Sequence, residues 1–169
     1  HVHFAIMNDF ADTGTLDAPG DAAILDRACA GIDALNLKHA ANSGDRFFLF
    51  PRDPQWNLGE QAWMGWERKR GKLEEFNRLL RGATDTSFST QIGRLDILSS
   101  VRYCLTLDSD TRLPRDAARR LLGVMSHPLN RPRIDPRLGR VTEGYGILQP
   151  RVSVTMASAA GSLFARIYA

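Results

Sequence analysis

No stretch of this chain approaches the ~20 consecutive apolar residues that a membrane-spanning helix needs. Cysteine is scarce: only two of 169 residues, Cys29 and Cys104. That number rules out a disulfide framework as the organising device. Both cysteines fall in apolar segments and are expected to be buried free thiols, which suits a reducing compartment. Neither sign of charge dominates. Twenty-two Lys and Arg face 19 Asp and Glu, leaving a net charge of +3, too small an excess to mark a nucleic-acid binder. Repeats and low-complexity tracts are missing too. The first residues show no basic region followed by an apolar one, so no signal peptide is expected. There is no initiator Met, and residues 1–6 already read as strand, so the sequence is expected to be a piece of a longer protein.

What remains is an ordinary globular composition, 43% apolar, about one domain long. Apolar spacing alternates between strand-like and helix-like. Val2, Phe4 and Ile6 alternate and run into Asn8-Asp9, a strand ending in a polar turn. Asp21 can N-cap a helix that carries Ile24, Leu25, Ala28, Ile32 and Leu35 on one face, with Asn42-Ser43-Gly44 at its end. Residues 46–50 read as a strand and 51–57 as a loop. A helix is expected after Gly71, burying Leu73, Phe76, Leu79 and Leu80. Residues 83–94 are polar and aperiodic, the pattern of a mobile loop. Residues 101–107 are expected to be a central strand. Pro114 suits the start of a helix holding Ala117, Leu121, Leu122 and Met125. A Pro- and Arg-rich loop over 126–143, a strand over 145–154 and an amphipathic helix over 157–168 complete the series. This alternation predicts an α/β fold, a mostly parallel sheet flanked by helices.

The chemistry concentrates where the apolar run 101–107 meets Asp108-Ser109-Asp110-Thr111. Two carboxylates one residue apart at a strand's end lie where open α/β sheets bind ligands. They offer hard oxygen donors to Mg²⁺ or Mn²⁺. Two enzyme chemistries fit. In a haloacid-dehalogenase-type phosphatase the first Asp is the nucleophile, the second a general acid/base, and a Thr follows. In a nucleotide-sugar glycosyltransferase the pair holds a cation that neutralises the leaving diphosphate. A basic binding module is a third reading, from a different class.

Position favours the glycosyltransferase. A dehalogenase nucleophile belongs on the first strand of its domain, and here about a hundred residues of α/β pattern precede Asp108. Upstream, Asp9 at a strand end can accept hydrogen bonds from a nucleobase. Arg68, Lys69, Arg70 and Lys72 surround Gly71, which permits close backbone approach while the lysines supply charge for phosphate. Trp56, Trp63 and Trp66 lie just before them, either as core or as a platform for a sugar or base.

Four strings then carry a resemblance. Trp63-Met64-Gly65-Trp66-Glu67-Arg68-Lys69-Arg70-Gly71-Lys72-Leu73 and Leu107-Asp108-Ser109-Asp110-Thr111-Arg112-Leu113-Pro114-Arg115 are two of them. His127-Pro128-Leu129-Asn130-Arg131-Pro132 and Gly144-Tyr145-Gly146-Ile147-Leu148-Gln149-Pro150-Arg151-Val152 are the others. Together they resemble the glycosyltransferase region of cyclic β-1,2-glucan synthases, over nearly the whole chain. That region is similar in turn to glycosyltransferase family 2, with a GT-A fold.

The resemblance implies that residues 1–169 are a partial glycosyltransferase domain, lacking its first strand and its acceptor and base region. It gives Asp9 a nucleotide contact and matches Lys69, Gly71 and Asn77 to a Lys-x-Gly motif before an Asn-bearing helix. Asp108 is matched to ribose and metal, and Asp110 to the metal. Lys72 joins Lys69 at phosphate or the base edge. Asp135 and Glu143, the only carboxylates after Asp116, do not match the family's base motif, so no catalytic residue is assigned and the base is expected beyond Ala169. Gln149 and Arg151 are within reach of a sugar or serve the sheet; His127 is expected to be a loop residue. The implied activity is inverting transfer of glucose from UDP-glucose to a growing β-1,2-glucan, assisted by Mg²⁺ or Mn²⁺. The implied setting is the bacterial inner membrane, anchored through other parts of the full-length protein, with this domain on the cytoplasmic side. No nucleic-acid partner is expected, and the piece alone is expected to be inactive.

Overall fold

A computed structural model of the chain describes residues 2–16, 18–39, 44–151 and 167. The expected helix over 157–168 lies outside them except for Ile167, as do Asn42, Ser43 and the end of the strand expected over 145–154. The chain divides into two compact units, His1–Arg102 and Tyr103–Ala169.

The first unit begins with a strand–helix–strand crossover. Strand β1 (Phe4–Asp9) pairs in parallel with β2 (Phe47–Arg52), and helix α1 (Asp21–Lys38) connects them. The register sets Phe4 beside Phe47 and Asp9 beside Arg52. Phe4 and Ile6 face outward, while Met7 reaches the core. Helix α1 starts after Gly20, whose left-handed backbone (φ 99°) makes the turn; Asp21 is the first helical residue and makes no side-chain cap. Of its expected apolar face only Ile32 is buried, and Ile24 is exposed. Asn36 fastens α1 to the start of β2: its Nδ2 donates to the Phe47 carbonyl (2.9 Å), and its Oδ1 accepts from the amides of Arg46 (3.0 Å) and Phe47 (2.9 Å). Cys29 is half-buried on this helix.

Strand β2 runs past Pro51 to Arg52, two residues beyond the expected end, and everything from Phe48 to Arg52 is buried. A hairpin follows, β3 (Gln55–Asn57) against β4 (Ala62–Met64), where a loop was expected. Thr13 and Trp63 exchange backbone hydrogen bonds (3.1 and 2.7 Å), tying that hairpin to the segment after β1. Helix α2 (Arg68–Leu80) comes next, then a 3-10 helix (Leu95–Ser100).

The core is aromatic. Phe48, Phe50, Phe88 and Leu79 are buried together, with Met7, Phe76, Ile97 and Leu98 packed on them. Phe50 meets Phe76 at 5.4 Å and Phe88 edge-on at 6.0 Å, separations at which ring quadrupoles add to burial. Phe88 overturns the expectation of a mobile loop over 83–94. Ile92 exchanges backbone hydrogen bonds with Leu49 (3.1 and 3.0 Å), so this polar segment lies along β2 and closes the core. Its one buried aromatic and its β-bridge outweigh its polar composition.

The second unit holds α3 (Ala117–Ser126), at the expected place, and a hairpin of β5 (Arg133–Asp135) and β6 (Arg140–Glu143) inside the expected Pro/Arg-rich loop. No described residue beyond 102 is buried. Residues 101–107 are not a strand; Tyr103, Leu105 and Leu107 are exposed, and Cys104 with them. Residues 145–151 form no strand either. Apolar composition alone does not make a strand, which needs a neighbouring ladder for its N–H and C=O groups, and no described strand pairs with either segment. Among the described residues β1 and β2 are the one parallel pair; β3/β4 and β5/β6 are antiparallel. No helix of the described residues is long and apolar enough to cross a membrane.

Candidate functional site

Parallel pairing in register delivers Asp9 and Arg52 side by side at the carboxyl ends of β1 and β2, the edge at which open α/β sheets take ligands. Arg52 is fully buried, an exceptional place for a guanidinium. Each of its nitrogens is used. Nε donates to Asp9 Oδ1 (2.7 Å), Nη1 to the Trp66 carbonyl (2.9 Å) and Nη2 to the Arg68 carbonyl (2.9 Å). Glu75 Oε2 lies 3.6 Å from Nη1 and accepts a hydrogen bond from Ser87 Oγ. Lys72 Nζ, from the second turn of α2, reaches the other Asp9 oxygen, Oδ2, at 2.9 Å. Two cations and two carboxylates therefore meet with no net charge, the condition under which burial of ions is tolerated. Burial raises the Asp9 pKa, but hydrogen bonds from Arg52 and Lys72 and the charges of both outweigh it, so Asp9 is held below the ordinary carboxylate value.

The local chain is shaped around this cluster. A Cβ on Gly65 would lie 2.6 Å from Arg52 Nη2 and from Asp9 Cγ, so main chain approaches the ion pair where no side chain fits. At Gly71 a Cβ would lie 2.0 Å from the Trp66 carbonyl oxygen. Between them Glu67 (φ 49°) and Arg68 (φ 46°) are both left-handed, each at a cost of about 1–3 kcal/mol for a residue with a Cβ. The two N–H groups of Arg52 that hold the carbonyls of Trp66 and Arg68 keep this turn in place.

Helix α2 opens with Arg68, Lys69 and Arg70 and has no acidic residue in its first turn. Cations there oppose the helix dipole. Acidic neighbours offset part of this: Arg68 pairs with Asp12 (2.9 Å) and Glu60, and Arg70 with Glu67 (3.3 Å) and Glu74 (2.9 Å). Arg70 also covers the Trp66 ring at 5.4 Å. Lys69 and Asn77 are exposed on the same helix.

The structure thus brings Asp9, Lys72 and Gly71 together and sets Lys69 on the adjoining turn. It adds Arg52, Glu75 and Gly65, which sequence reasoning missed. The signal for Arg52 was its place at the end of an aromatic strand, Phe47-Phe48-Leu49-Phe50-Pro51-Arg52, matching Asp9 at the end of the other strand.

Asp108 and Asp110 belong to the second unit, on an exposed turn in which the Thr111 amide donates to the Asp108 carbonyl (3.0 Å). Among the described residues no group of three or more His, Cys, Asp and Glu is disposed to hold a metal. Two carboxylates nevertheless suit Mg²⁺, which commonly takes one or two and completes its shell with water and phosphate oxygens. The donor set fits a cation shared with a ligand rather than a closed protein cage. Asp135 is occupied in its own turn, accepting from the amides of Arg137 (2.7 Å) and Leu138 (3.3 Å), and Glu143 pairs with Arg133 (3.0 Å). His127 Nδ1 accepts from the Leu129 amide (3.3 Å), the loop role expected of it. Gln149 and Arg151 lie outside any strand.

No protein-family model matches the chain. Over 168 residues it is 45% identical to the cyclic beta-(1,2)-glucan synthase NdvB of Rhizobium meliloti (strain 1021). The chain is similar to one short stretch of that synthase. The alignment takes in 99% of this chain and 6% of the length of NdvB. The Asp9–Arg52–Lys72 cluster, the left-handed turn before α2 and the Asp108-x-Asp110 turn all fall within the aligned length.

Proposed function

We propose that this chain is the donor-side part of a glycosyltransferase with a GT-A fold of the family 2 type, which moves glucose from UDP-glucose, with inversion, onto a growing β-1,2-glucan. The observation that carries the reading is the Asp9–Arg52–Lys72 cluster at the carboxyl ends of a parallel strand pair, beside a helix start rich in cations. The likeness to a named cyclic beta-(1,2)-glucan synthase supports a role in β-glucan synthesis.

In this reading Asp9, fixed and ionised between Arg52 and Lys72, accepts a hydrogen bond from the nucleobase. Lys72 is partly exposed and can divide its donors between Asp9 and a phosphate or base-edge oxygen. Lys69 adds charge at the diphosphate, and Gly71 keeps the turn closed against Trp66. Asp108 serves ribose and metal, and Asp110 the metal. Mg²⁺ or Mn²⁺ held by these carboxylates would neutralise the diphosphate as it leaves. No residue of this chain is assigned as the acceptor's base. Membrane attachment, with this domain on the cytoplasmic side of a bacterial inner membrane, is part of the same proposal and rests on the family resemblance of the sequence strings alone.

Calorimetry with UDP, with and without Mn²⁺, tests it. Expected are UDP binding that strengthens with Mn²⁺, loss of the Mn²⁺ dependence in Asp110→Ala and loss of UDP binding in Lys72→Ala. Absence of UDP binding at millimolar ligand with Mn²⁺, or Mn²⁺ binding unchanged in Asp110→Ala, overturns the site. Hydrolysis of p-nitrophenyl phosphate that disappears in Asp108→Asn would assign Asp108 to the phosphatase chemistry instead.

A further inference from the structure

Two of the three tryptophans make no core. Trp56 is 47% and Trp66 38% exposed, and both line a hollow of about 210 Å³ with Gln55, Asn57, Leu58 and Met64. Trp63 differs: its backbone is tied to Thr13, and its ring meets Trp56 edge-on at 5.8 Å. Holding two large indoles half in water beside one cavity forgoes the burial that usually justifies them.

The lining contains no charged side chain. A phosphate or carboxylate would find no charged partner in this lining, and the cation beside it, Arg70, already covers one indole, Trp66, at 5.4 Å. The polar groups are two amides. Asn57 is committed to its own turn: Oδ1 accepts from the amides of Gly59 (2.9 Å) and Glu60 (3.2 Å), and Nδ2 donates to Met64 Sδ (3.4 Å). Gln55, exposed, is the amide that offers both a donor and an acceptor to a ligand. Indole faces, one aliphatic wall from Leu58 and one amide suit a neutral molecule with an apolar face and a hydroxyl rim. A pyranose ring has that make-up: its axial C–H bonds rest on an aromatic face while its hydroxyls exchange hydrogen bonds with an amide.

The location gives the ring a role. Met64 and Trp66, both in the lining, flank Gly65, whose main chain touches Asp9 and Arg52. The hollow therefore adjoins the charged cluster through continuous backbone, and the ligand it takes is uncharged where the cluster's is anionic.

We propose that this hollow is a subsite for one glucose ring of the glucan chain, an inference that rests on the glycosyltransferase reading above. The test is NMR of the indole N–H signals of Trp56, Trp63 and Trp66 in the intact chain. It is titrated separately with linear β-1,2-gluco-oligosaccharides, an α-1,4-gluco-oligosaccharide, uridine, and UDP with Mn²⁺. Expected are shifts at Trp56 and Trp66 with the β-1,2-oligosaccharide, smaller ones at Trp63, and none at these rings with uridine. Trp56→Ala, and independently Leu58→Glu, should weaken oligosaccharide binding by about fivefold or more, the loss for one good aromatic or apolar contact. Leu58 is 80% exposed, so its variant keeps the fold when that of Trp56 does not. No shift with any oligosaccharide, a response to uridine alone, or a Leu58→Glu variant that binds like the parent overturns the subsite. A UDP response without an oligosaccharide response removes the subsite and leaves the donor reading. An oligosaccharide response without one to UDP supports the subsite and removes the donor reading.

Discussion

Asp9 stands between a guanidinium and an ammonium at the end of a core strand, whereas Asp108 and Asp110 stand on an exposed turn closed by one backbone hydrogen bond. The two units hold their carboxylates by different means. In His1–Arg102 a phenylalanine core fixes β2, β2 presents a buried Arg52, and Arg52 fixes Asp9, Glu75 and the turn before α2. In Tyr103–Ala169 no described residue is buried, and the carboxylates of Asp135 and Glu143 are held by a local turn and an exposed ion pair. A ligand reaching Asp9 meets a geometry already in place. Asp110 is exposed on a turn that no described buried residue backs.

That contrast can be broken most forcefully at Arg52. Arg52→Ala leaves Glu75 buried without its cation and Asp9 with Lys72 alone, and should cost about 3–5 kcal/mol, read by urea denaturation. A loss under about 1 kcal/mol would mean that the ion cluster does not organise this unit. Gly71→Ala comes next. Its Cβ would fall 2.0 Å from the Trp66 carbonyl oxygen, and the expected loss is about 1–3 kcal/mol. Unchanged stability would show the turn free to relax.

Asp9 sharpens the comparison through pH. Its folded pKa is depressed, so its pairing contributes stability that is fully present above the unfolded value of about 3.9. That contribution is lost as pH falls from there through the folded value. The stability difference between the parent and Asp9→Asn should shrink as pH is lowered from about 6 to about 3; a constant difference breaks the assignment. The smallest effect belongs to the exposed turn. Asp108→Asn combined with Asp110→Asn should leave stability within about 0.5 kcal/mol while removing Mn²⁺ binding. A larger loss would place these carboxylates among the structural groups.

Much of the first unit was legible. The alternation of residues 2–9, the helical spacing behind it and the aromatic strand after it give the order strand, helix, strand, but not the buried faces: Val2, Phe4 and Ile6 are exposed, and of the expected face of α1 only Ile32 is buried. The cluster was half legible. Asp9, Lys72 and Gly71 stood out by type and spacing, but Arg52 read as loop, since Pro51 before it argues against a strand and nothing local says that an Arg is buried. Pairing with Asp9 is a register effect, set 43 residues away. Residues 83–94 failed for a related reason: Phe88 and Ile92 each act alone among polar neighbours, leaving no period to detect. Residues 101–107 failed the opposite way, with the composition of a buried strand and no ladder to join.

One guanidinium grips both the β1 carboxylate and two carbonyls of the left-handed turn. The consequence concerns how such a sequence can drift. A change at residue 9 takes the acceptor from Arg52 Nε, and a shift of the turn takes the carbonyls of residues 66 and 68 from its Nη groups. Neither can be exchanged alone without stranding a buried donor. Variation here should therefore travel in sets, with positions 9, 52, 65 and 71 changing together or staying put, while the neighbouring exposed arginines are free to wander.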